Sequence, residues 1–170
     1  MDKMLKRWLW RLFLLLVGLA LMYHAWILGQ IAYWNHYNPS SSAFMRARLD
    51  LLREKDHAAV LRMQWVSYEL ISPNLKRAVI AAEDGKFLQH EGFDFEAIQR
   101  AYEKNLEKGR LVAGGSTISQ QLAKNLFLSG EKTPWRKLQE VIITFMLENV
   151  MPKRRILEIY LNVIEWGDGV

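Results

Sequence analysis

The hydrophobic pattern divides the chain into one long apolar run and a series of shorter amphipathic segments. Within residues 12–34 the only strongly polar side chains are His24 and Gln30. A helix rises about 1.5 Å per residue, so about 20 such residues cross the hydrocarbon core of a membrane. The run therefore predicts a transmembrane helix over 12–34, followed by a linker and membrane-proximal segment over 35–71.

Helix signals follow in quick succession after this linker. Residues 43–62 are compatible with a helix, and residues 65–71 suit a short strand. Capping residues, prolines and closing glycines then mark five further helices. These predicted helices cover residues 72–82, 94–109, 116–130, 133–150 and 152–163. The region after the apolar run is therefore predicted to be mostly α-helical, with its main domain over 72–170.

The sequence ends in a loop, residues 165–170, directly after its last predicted helix. A helical domain needs a neighbouring element to cover the apolar face of its last helix. We therefore expect this chain to be truncated, with the C-terminal part of the domain missing.

Positive charge is concentrated in front of the apolar run. The net charge of the 170 residues is +5, and +3 of it lies in the tail 1–11, which holds Lys3, Lys6, Arg7 and Arg11. Because Lys and Arg favour the cytoplasmic side, the tail is predicted to be cytoplasmic and the domain external. A nucleic-acid binder would spread its charge over the folded part, so that class is excluded.

A cleaved secretory signal is the alternative interpretation of the apolar run. No small-x-small cleavage site follows the run, and bulky Tyr23, His24, Trp26 and Trp34 stand in its last part. The aromatic residues among them suit the interfacial belt of a spanning helix. We therefore expect an uncleaved anchor.

Several kinds of site are excluded by residue type. The chain has no cysteine, which excludes a disulfide framework, a thiolate metal site and a cysteine nucleophile. It also has no HExxH, no P-loop and no nucleophile elbow.

Two helix starts carry cations where acidic residues are expected. The helix that starts near residue 134 is surrounded by Lys132, Arg136 and Lys137. Three further cations, residues 153–155, lie at the start of the next helix. The N-terminus of a helix is partly positive, so a docked anion would account for these cations. A basic rim facing solvent or lipid headgroups is the alternative.

The Gly-Gly-Ser-Thr turn at 114–117 is a second candidate anion site, because glycine lets backbone N–H groups approach a ligand. On the helix that follows, Thr117, Gln120, Gln121 and Lys124 share one face. Their hydroxyl, amide and ammonium groups suit a sugar or phosphate. A solvated polar face is the alternative.

Two carboxylates have surroundings that suit catalysis. Glu83 and Asp84 end an apolar helix, where a glutamate is a candidate general base. Glu140 follows Arg136 by one turn at the edge of an apolar helix face. The alternatives are a solvated helix end for Glu83 and a structural salt bridge for Glu140. His90 is interpreted as a structural or orienting residue.

Four segments resemble, in order, the motifs of the family 51 glycosyltransferases, which polymerise peptidoglycan glycan strands. They are EDGKFLQHEG (83–92), GGSTISQQLAKN (114–125), RKLQE (136–140) and ILEIYLN (156–162). A short chain with one anchor is similar to the monofunctional biosynthetic transglycosylases of that family. The resemblance implies a lysozyme-like α fold outside the inner membrane, on the periplasmic side, with lipid II as substrate.

The resemblance also implies roles for individual residues. Glu83 matches the general base that takes the proton of the acceptor 4-hydroxyl, whose oxygen attacks the donor C1 with inversion and displaces undecaprenyl pyrophosphate. Glu140 matches a second catalytic carboxylate near the donor phosphates, where a divalent cation, Mg²⁺ or Mn²⁺, is expected. Lys124, Arg136 and Lys137 match substrate-binding cations, and Lys132 stands where many members have Arg, which keeps the charge but loses the bidentate geometry. Ser116, Thr117, Gln120, Gln121 and Asn125 match glycan- and loop-positioning residues; Asp84, Phe87, His90 and Glu158 match orienting or structural residues.

The expected partners are lipid II, the growing glycan strand and membrane lipid, with proteins of cell division or cell-wall synthesis as further candidates. Two other functions stay open. A glycan-cleaving lytic transglycosylase shares the helical frame and the glutamate but needs no cation cluster. A non-catalytic, membrane-anchored partner of the cell-wall machinery would result if the truncated chain is inactive.

Overall fold

The computed structural model describes residues 3–165, and over this range the chain forms seven helices and no strand. The loop predicted at the C-terminal end lies outside the described residues from position 166 onward. The prediction of a mostly α fold is confirmed. The helices are α1 (Lys3–Trp34), α2 (Ala43–Lys55), α3 (Pro73–Glu83), α4 (Phe95–Lys108), α5 (Ile118–Phe127), α6 (Pro134–Val150) and α7 (Lys153–Val163).

Side-chain caps set most of the helix starts. In each case a hydroxyl or carboxylate accepts the N–H of a residue two or three positions further on, which satisfies a donor that the helix leaves free. α4 ends at Gly109, whose φ of 60° lies in the left-handed region. α2 ends at Lys55, several residues earlier than the sequence predicts. The capping residues are Ser42, Ser72, Asp94, Thr117 and Thr133.

The short strand predicted at residues 65–71 is wrong. The backbone of this segment binds side chains of α7 instead of a neighbouring strand. Oδ1 of Asn162 accepts a hydrogen bond from the N–H of Val66 at 2.8 Å, and Nδ2 of Asn162 donates to the carbonyl of Val66 at 2.9 Å. Glu158 accepts the N–H of Tyr68 at 3.0 Å. Because these side chains satisfy the backbone groups, the segment stays irregular.

Helix α5 lies at the centre of the domain and packs against α6 and α7. Ile118 and Leu122 of α5 are fully buried, together with Ile143 and Leu147 of α6 and Ile156 of α7. Burying an aliphatic side chain stabilises a fold by about 1.5–3 kcal/mol. This core fixes the three helices relative to one another.

Helix α1 is the one described helix that is long and apolar enough to cross a membrane. Its 32 residues extend over about 48 Å. Ile27 and Ile31 are nevertheless fully buried and belong to the core of the domain. The Trp34 ring packs on Phe127 of α5, with ring centroids 5.3 Å apart. The last two turns of the anchor are therefore an integral part of the folded domain.

Arg155, at the start of α7, binds the chain where the anchor ends. Its Nε donates to the carbonyl of Trp34 at 2.9 Å, and its Nη2 donates to the carbonyl of Tyr37 at 2.7 Å and to Oδ1 of Asn38 at 2.9 Å. The Nη1 atom donates to Glu158 at 2.8 Å. We refer to these contacts of Arg155 with residues 34–38 as the anchor junction.

The other two cations of the 153–155 cluster also contact protein groups. The ammonium of Lys153 donates to Glu148 at 2.7 Å and lies 4.6 Å from the centre of the Phe87 ring. Arg154 pairs with Glu69. The cluster thus joins α7 to its neighbours through protein contacts, which neither the docked anion nor the basic rim predicts.

Candidate active site

Glu83 is the last residue of α3 and its side chain is exposed. The helix ends there because Asp84 adopts φ −161° and ψ 74°, while its N–H still bonds to the carbonyl of Ile80. The Glu83 carboxylate accepts a 2.9 Å hydrogen bond from Nε2 of Gln121 on α5. A carboxylate that is both accessible and held by a donor is suited to accepting a proton from a bound hydroxyl.

Asp84, in contrast, is buried and fixes the loop behind Glu83. Its Oδ2 accepts the N–H of Ile118, the first residue of α5, at 3.0 Å. Nε2 of His90 contacts the same carboxylate at 2.9 Å, and Nδ1 of His90 accepts the N–H of Gly92 at 3.1 Å. Because Nδ1 accepts, Nε2 carries the proton in the neutral ring. The fully buried Phe87 fills the space inside this loop.

Thr117 and Gln120 are also buried, within the cap of α5. The N–H of Thr117 donates to Oε1 of Gln120, and the N–H of Gln120 donates to the Thr117 hydroxyl. That hydroxyl donates to the carbonyl of Gly92 at 2.7 Å. Gly92 has φ 91°, and a Cβ there would lie 2.9 Å from the methyl group of Thr144. Thr117 and Gln120 therefore hold the loop that contains Gly92 against α5 and do not face solvent.

A cavity of about 140 Å³ brings the candidate base together with the 114–117 turn. Glu83, Lys86, Arg100 and Ser116 are among its lining residues. The turn comes close to α4 because Gly115 has no side chain: a Cβ there would lie 2.7 Å from the Cα of Ile98. A larger cavity, of about 520 Å³, lies between α2 and the end of α7 and contains none of the predicted site residues.

Glu140 is buried between two cations at the start of α6. Nη1 of Arg136 and Nζ of Lys137 each lie 2.5 Å from a different oxygen of its carboxylate. Lys137 also contacts the hydroxyl of Ser116 at 3.4 Å, which joins this cluster to the rim of the cavity. Two cations around one carboxylate leave a net positive charge, and Lys137 is half-exposed. We call Arg136, Lys137 and Glu140 the α6 charge cluster.

The remaining predicted binding residues lie on or beside α5. The ammonium of Lys124 lies 5.3 Å from the centre of the Phe44 ring. Asn125 is buried and donates to the carbonyl of Gln121 at 2.8 Å. Lys132 is exposed in the turn before α6. Of the predicted cations, Lys137 thus approaches the cavity through Ser116, whereas Asn125 belongs to the packing of α5.

The α6 charge cluster does not fit a divalent cation at Glu140. Arg136 and Lys137 each bind one oxygen of the carboxylate and leave the cluster with a net positive charge, which repels a further cation. No group of three or more metal-ligating side chains occurs among residues 3–165. The divalent cation implied by the resemblance stays a prediction.

Tyr160 is a site residue that the sequence reasoning missed. Its ring is buried in α7, and its hydroxyl donates to Oε1 of Gln121 at 3.0 Å. Burial, together with the charges of Glu83 and Asp84, raises the pKa of Tyr160 to about 12. Tyr160 occupies a core position on α7, so its place in the sequence pattern is the same as that of an apolar packing residue. The one feature of the sequence that could have pointed to Tyr160 is its place within the segment ILEIYLN.

Comparisons with known proteins identify the family to which this chain belongs. The family model described as Transglycosylase matches residues 51–170. The biosynthetic peptidoglycan transglycosylase of Nitrosospira multiformis is 72% identical over 165 residues, which cover 97% of this chain and 72% of the relative. The proteins of the same name from Methylobacillus flagellatus and Chromobacterium violaceum are 62% and 60% identical, over 98% of this chain and 73% of each relative. The chain belongs to the transglycosylase family, whose domain is helical and lysozyme-like.

Proposed function

We propose that this chain is a membrane-anchored peptidoglycan glycosyltransferase that polymerises lipid II into glycan strands. The family match supports the reaction class. The observation that carries the assignment is the shared cavity, in which an accessible carboxylate at Glu83 faces the 114–117 turn, next to the α6 charge cluster. A proton acceptor and an anion-binding group side by side are what a transfer with a pyrophosphate leaving group requires.

Glu83 is proposed as the general base. The acceptor sugar enters the cavity with its 4-hydroxyl within hydrogen-bond reach of the Glu83 carboxylate, about 2.6–3.2 Å. The carboxylate takes the hydroxyl proton while the oxygen forms a bond to C1 of the donor strand. The bond from C1 to the pyrophosphate oxygen breaks, with inversion at C1. Asp84 and His90 support this step by fixing the loop that follows Glu83.

The α6 charge cluster is proposed to hold the leaving pyrophosphate. Lys137 reaches from α6 to Ser116 at the rim of the cavity, and Arg136 lies beside it on the same carboxylate. Glu140 fixes the two cations before the substrate binds, so less free energy is spent on ordering them when it does. Lys124 and Lys132 are further candidates for this role because both are cations that precede the cluster along the chain.

The membrane arrangement is part of the proposal. Helix α1 is proposed to span the inner membrane, with the basic tail in the cytoplasm and the domain on the periplasmic side. Its length, its exposed apolar surface and the charge in front of it support this orientation. A domain built onto the end of its own anchor would act on a substrate held in the same membrane. Protein partners of cell division or cell-wall synthesis stay a prediction.

The test is a comparison of products. The full-length chain in detergent is incubated with labelled lipid II, and separately with isolated sacculi. We expect a ladder of glycan polymer from lipid II that lysozyme digests, and no soluble fragments from the sacculi. Fragments from the sacculi without polymer would indicate a lytic transglycosylase and contradict the proposal. An absence of both products would contradict it in favour of a non-catalytic partner.

A further inference from the structure

We propose that Tyr160 is a positioning residue that fixes the orientation of the Gln121 amide and, through it, the Glu83 carboxylate. The inference rests on the proposed function, in which Glu83 is the general base. Three helices contribute one residue each: the Tyr160 hydroxyl of α7 donates to Oε1 of Gln121 at 3.0 Å, and Nε2 of Gln121 on α5 donates to Glu83 of α3 at 2.9 Å. We call this series of hydrogen bonds the base relay.

The orientation of the Gln121 amide determines which of its two ends contacts the Glu83 carboxylate. A glutamine side chain has one end that donates and one that accepts, and the two differ little in shape. With Oε1 bound by the Tyr160 hydroxyl, the NH₂ end points to the Glu83 carboxylate and donates a hydrogen bond to it. With the amide reversed, Oε1 would face the carboxylate and repel it. The hydrogen bond from Tyr160 therefore selects the orientation that the base needs.

Tyr160 is well suited to this role because it cannot move easily. Its side chain is 3% exposed and belongs to the hydrophobic core, whereas Glu83 at the other end of the relay is exposed. The phenol keeps its proton over the physiological range, since its pKa is about 12. It therefore donates to Gln121 at every pH at which the enzyme works. A donor buried in the core is thus connected to an acceptor at the surface.

Gln121 serves the base through both of its polar ends. The resemblance implies that this residue contacts the glycan, yet its carbonyl oxygen is taken by Tyr160 and its amide nitrogen by Glu83. The amide thus has protein partners on both sides within the described residues. We infer that its first task is to hold the carboxylate that receives the proton.

The charges around Glu83 come from several elements and stay unchanged when only the relay is altered. Asp84 follows it in the chain, the charges of Lys86, Asp94 and Arg100 line the same cavity, and Tyr160 approaches from α7. Lys124 lies one turn beyond Gln121 on α5. Replacing tyrosine by phenylalanine removes one hydroxyl and leaves all these other charges in place. A displaced pH profile would therefore report on the relay.

The experiment measures kcat/KM for lipid II polymerisation against pH in full-length Tyr160→Phe. Loss of the relay removes the fixed orientation of the donor to Glu83, so we expect kcat/KM to fall and the acidic limb of its profile to move to higher pH. Tyr68→Phe is the matched control. The Tyr68 ring contacts Lys76 and Arg154 through its face, which phenylalanine keeps, and we expect the parent profile.

Gln121→Met provides a second test that leaves Tyr160 in place. It removes the donor to Glu83 directly and should move the acidic limb at least as far as Tyr160→Phe does. In the double variant the hydroxyl has no amide to act through, so we expect the profile of Gln121→Met alone. Shifts that add in the double variant would contradict the relay.

The outcomes separate the two proposals. If Glu83→Gln is inactive while Tyr160→Phe, folded by circular dichroism, keeps the parent pH profile, the relay is wrong and the base assignment stands. If Glu83→Gln polymerises at the parent rate, the base assignment itself is wrong. If Tyr160→Phe does not fold, an unmoved acidic limb in Gln121→Met overturns the relay.

Discussion

At the residue scale, two adjacent carboxylates have opposite environments. Glu83 is exposed at the end of α3, whereas Asp84 is buried and accepts the first N–H of α5. The sequence pointed to the pair and to Glu83 as the base, but it could not assign the partner of Asp84. That partner, Ile118, is 34 positions away, and the contact depends on how α3 and α5 pack. Local patterns carry no information about such distant contacts.

Asp94 is predicted to stabilise α4 in a way that depends on pH. The N–H of Ala97 lowers the pKa of Asp94, and the charges of Lys86, Arg100 and His90 act in the same direction, while burial opposes them. A lowered pKa in the folded state means that the stabilisation is present above the unfolded value, 3.8, and is lost as the pH falls through the folded one. Asp94→Ala should lower the free energy of unfolding by about 1 kcal/mol at pH 7 and by less at pH 2.5.

The measurement is denaturant unfolding of the detergent-solubilised chain, followed by circular dichroism at both pH values. Asp94→Asn is the control, since asparagine caps a helix without a charge and should keep most of the stability at pH 7. If Asp94→Ala lowers the free energy of unfolding equally at both pH values, the charge of Asp94 does not contribute to stability.

Glu140 is predicted to matter for stability and donor binding together. Glu140→Gln leaves the two cations of the α6 charge cluster without a negative partner, one of them largely buried at Arg136. Breaking a buried ion pair costs about 3 kcal/mol or more. We expect the free energy of unfolding to fall by about that amount and KM for the donor to rise. Glu131→Gln, at an exposed position just before α6, is the control. Parent-like stability in Glu140→Gln would contradict a structural role of the cluster.

At the element scale, the sequence predicted helices well where their ends are marked by local chemistry. The starts of α4, α5 and α6 follow from Asp94, Thr117 and Thr133, because capping depends on residues only three positions away. The segment 65–71 was mispredicted for the opposite reason. Its β-like pattern was overridden by α7 side chains about 90 positions further on. Tertiary contacts of this kind decide the state of short segments with weak preferences.

The anchor junction is predicted to hold the end of α1 rigidly against α7. Arg155→Ala removes the donors to Trp34, Tyr37 and Asn38 and leaves Glu158 without its cation. We expect faster hydrogen exchange of the amides in 35–42, measured by mass spectrometry on the full chain in detergent. Arg154→Ala is the control, because that residue forms an exposed pair with Glu69. Unchanged exchange in Arg155→Ala would show that apolar packing alone fixes the anchor.

At the scale of the whole molecule, the anchor and the domain form one unit. The predicted span, residues 12–34, stays a prediction, but Ile27 and Ile31 are buried against the domain. Counted from Leu12, after the basic tail, to Trp26, the helix before them has 15 residues and extends over about 22 Å, which is shorter than the hydrocarbon core of about 30 Å. Periodicity revealed the apolar helix, whereas its packing onto the domain required the structure. A membrane span by α1 would therefore hold the domain close to the membrane surface.

The orientation of this unit is tested by reporter fusions. A reporter at the N-terminus is expected to be cytoplasmic and one placed after Trp65 to be external, because positive charge precedes the span. As a control, replacing the four cations of the tail by glutamine should reduce this bias. A cytoplasmic signal from the fusion after Trp65 would contradict both the orientation and the access of the domain to an external substrate.

The most direct test of the central claim is glycan synthesis by full-length Glu83→Gln. Glutamine keeps the size of the side chain and its hydrogen-bonding capacity but cannot accept the proton, so polymerisation of labelled lipid II should fall about 100-fold or more, with folding and lipid II binding retained. Glu91→Gln makes the same change at an exposed position in the loop after α3 and should keep the parent rate. If Glu83→Gln polymerises lipid II as fast as Glu91→Gln, Glu83 is not the general base.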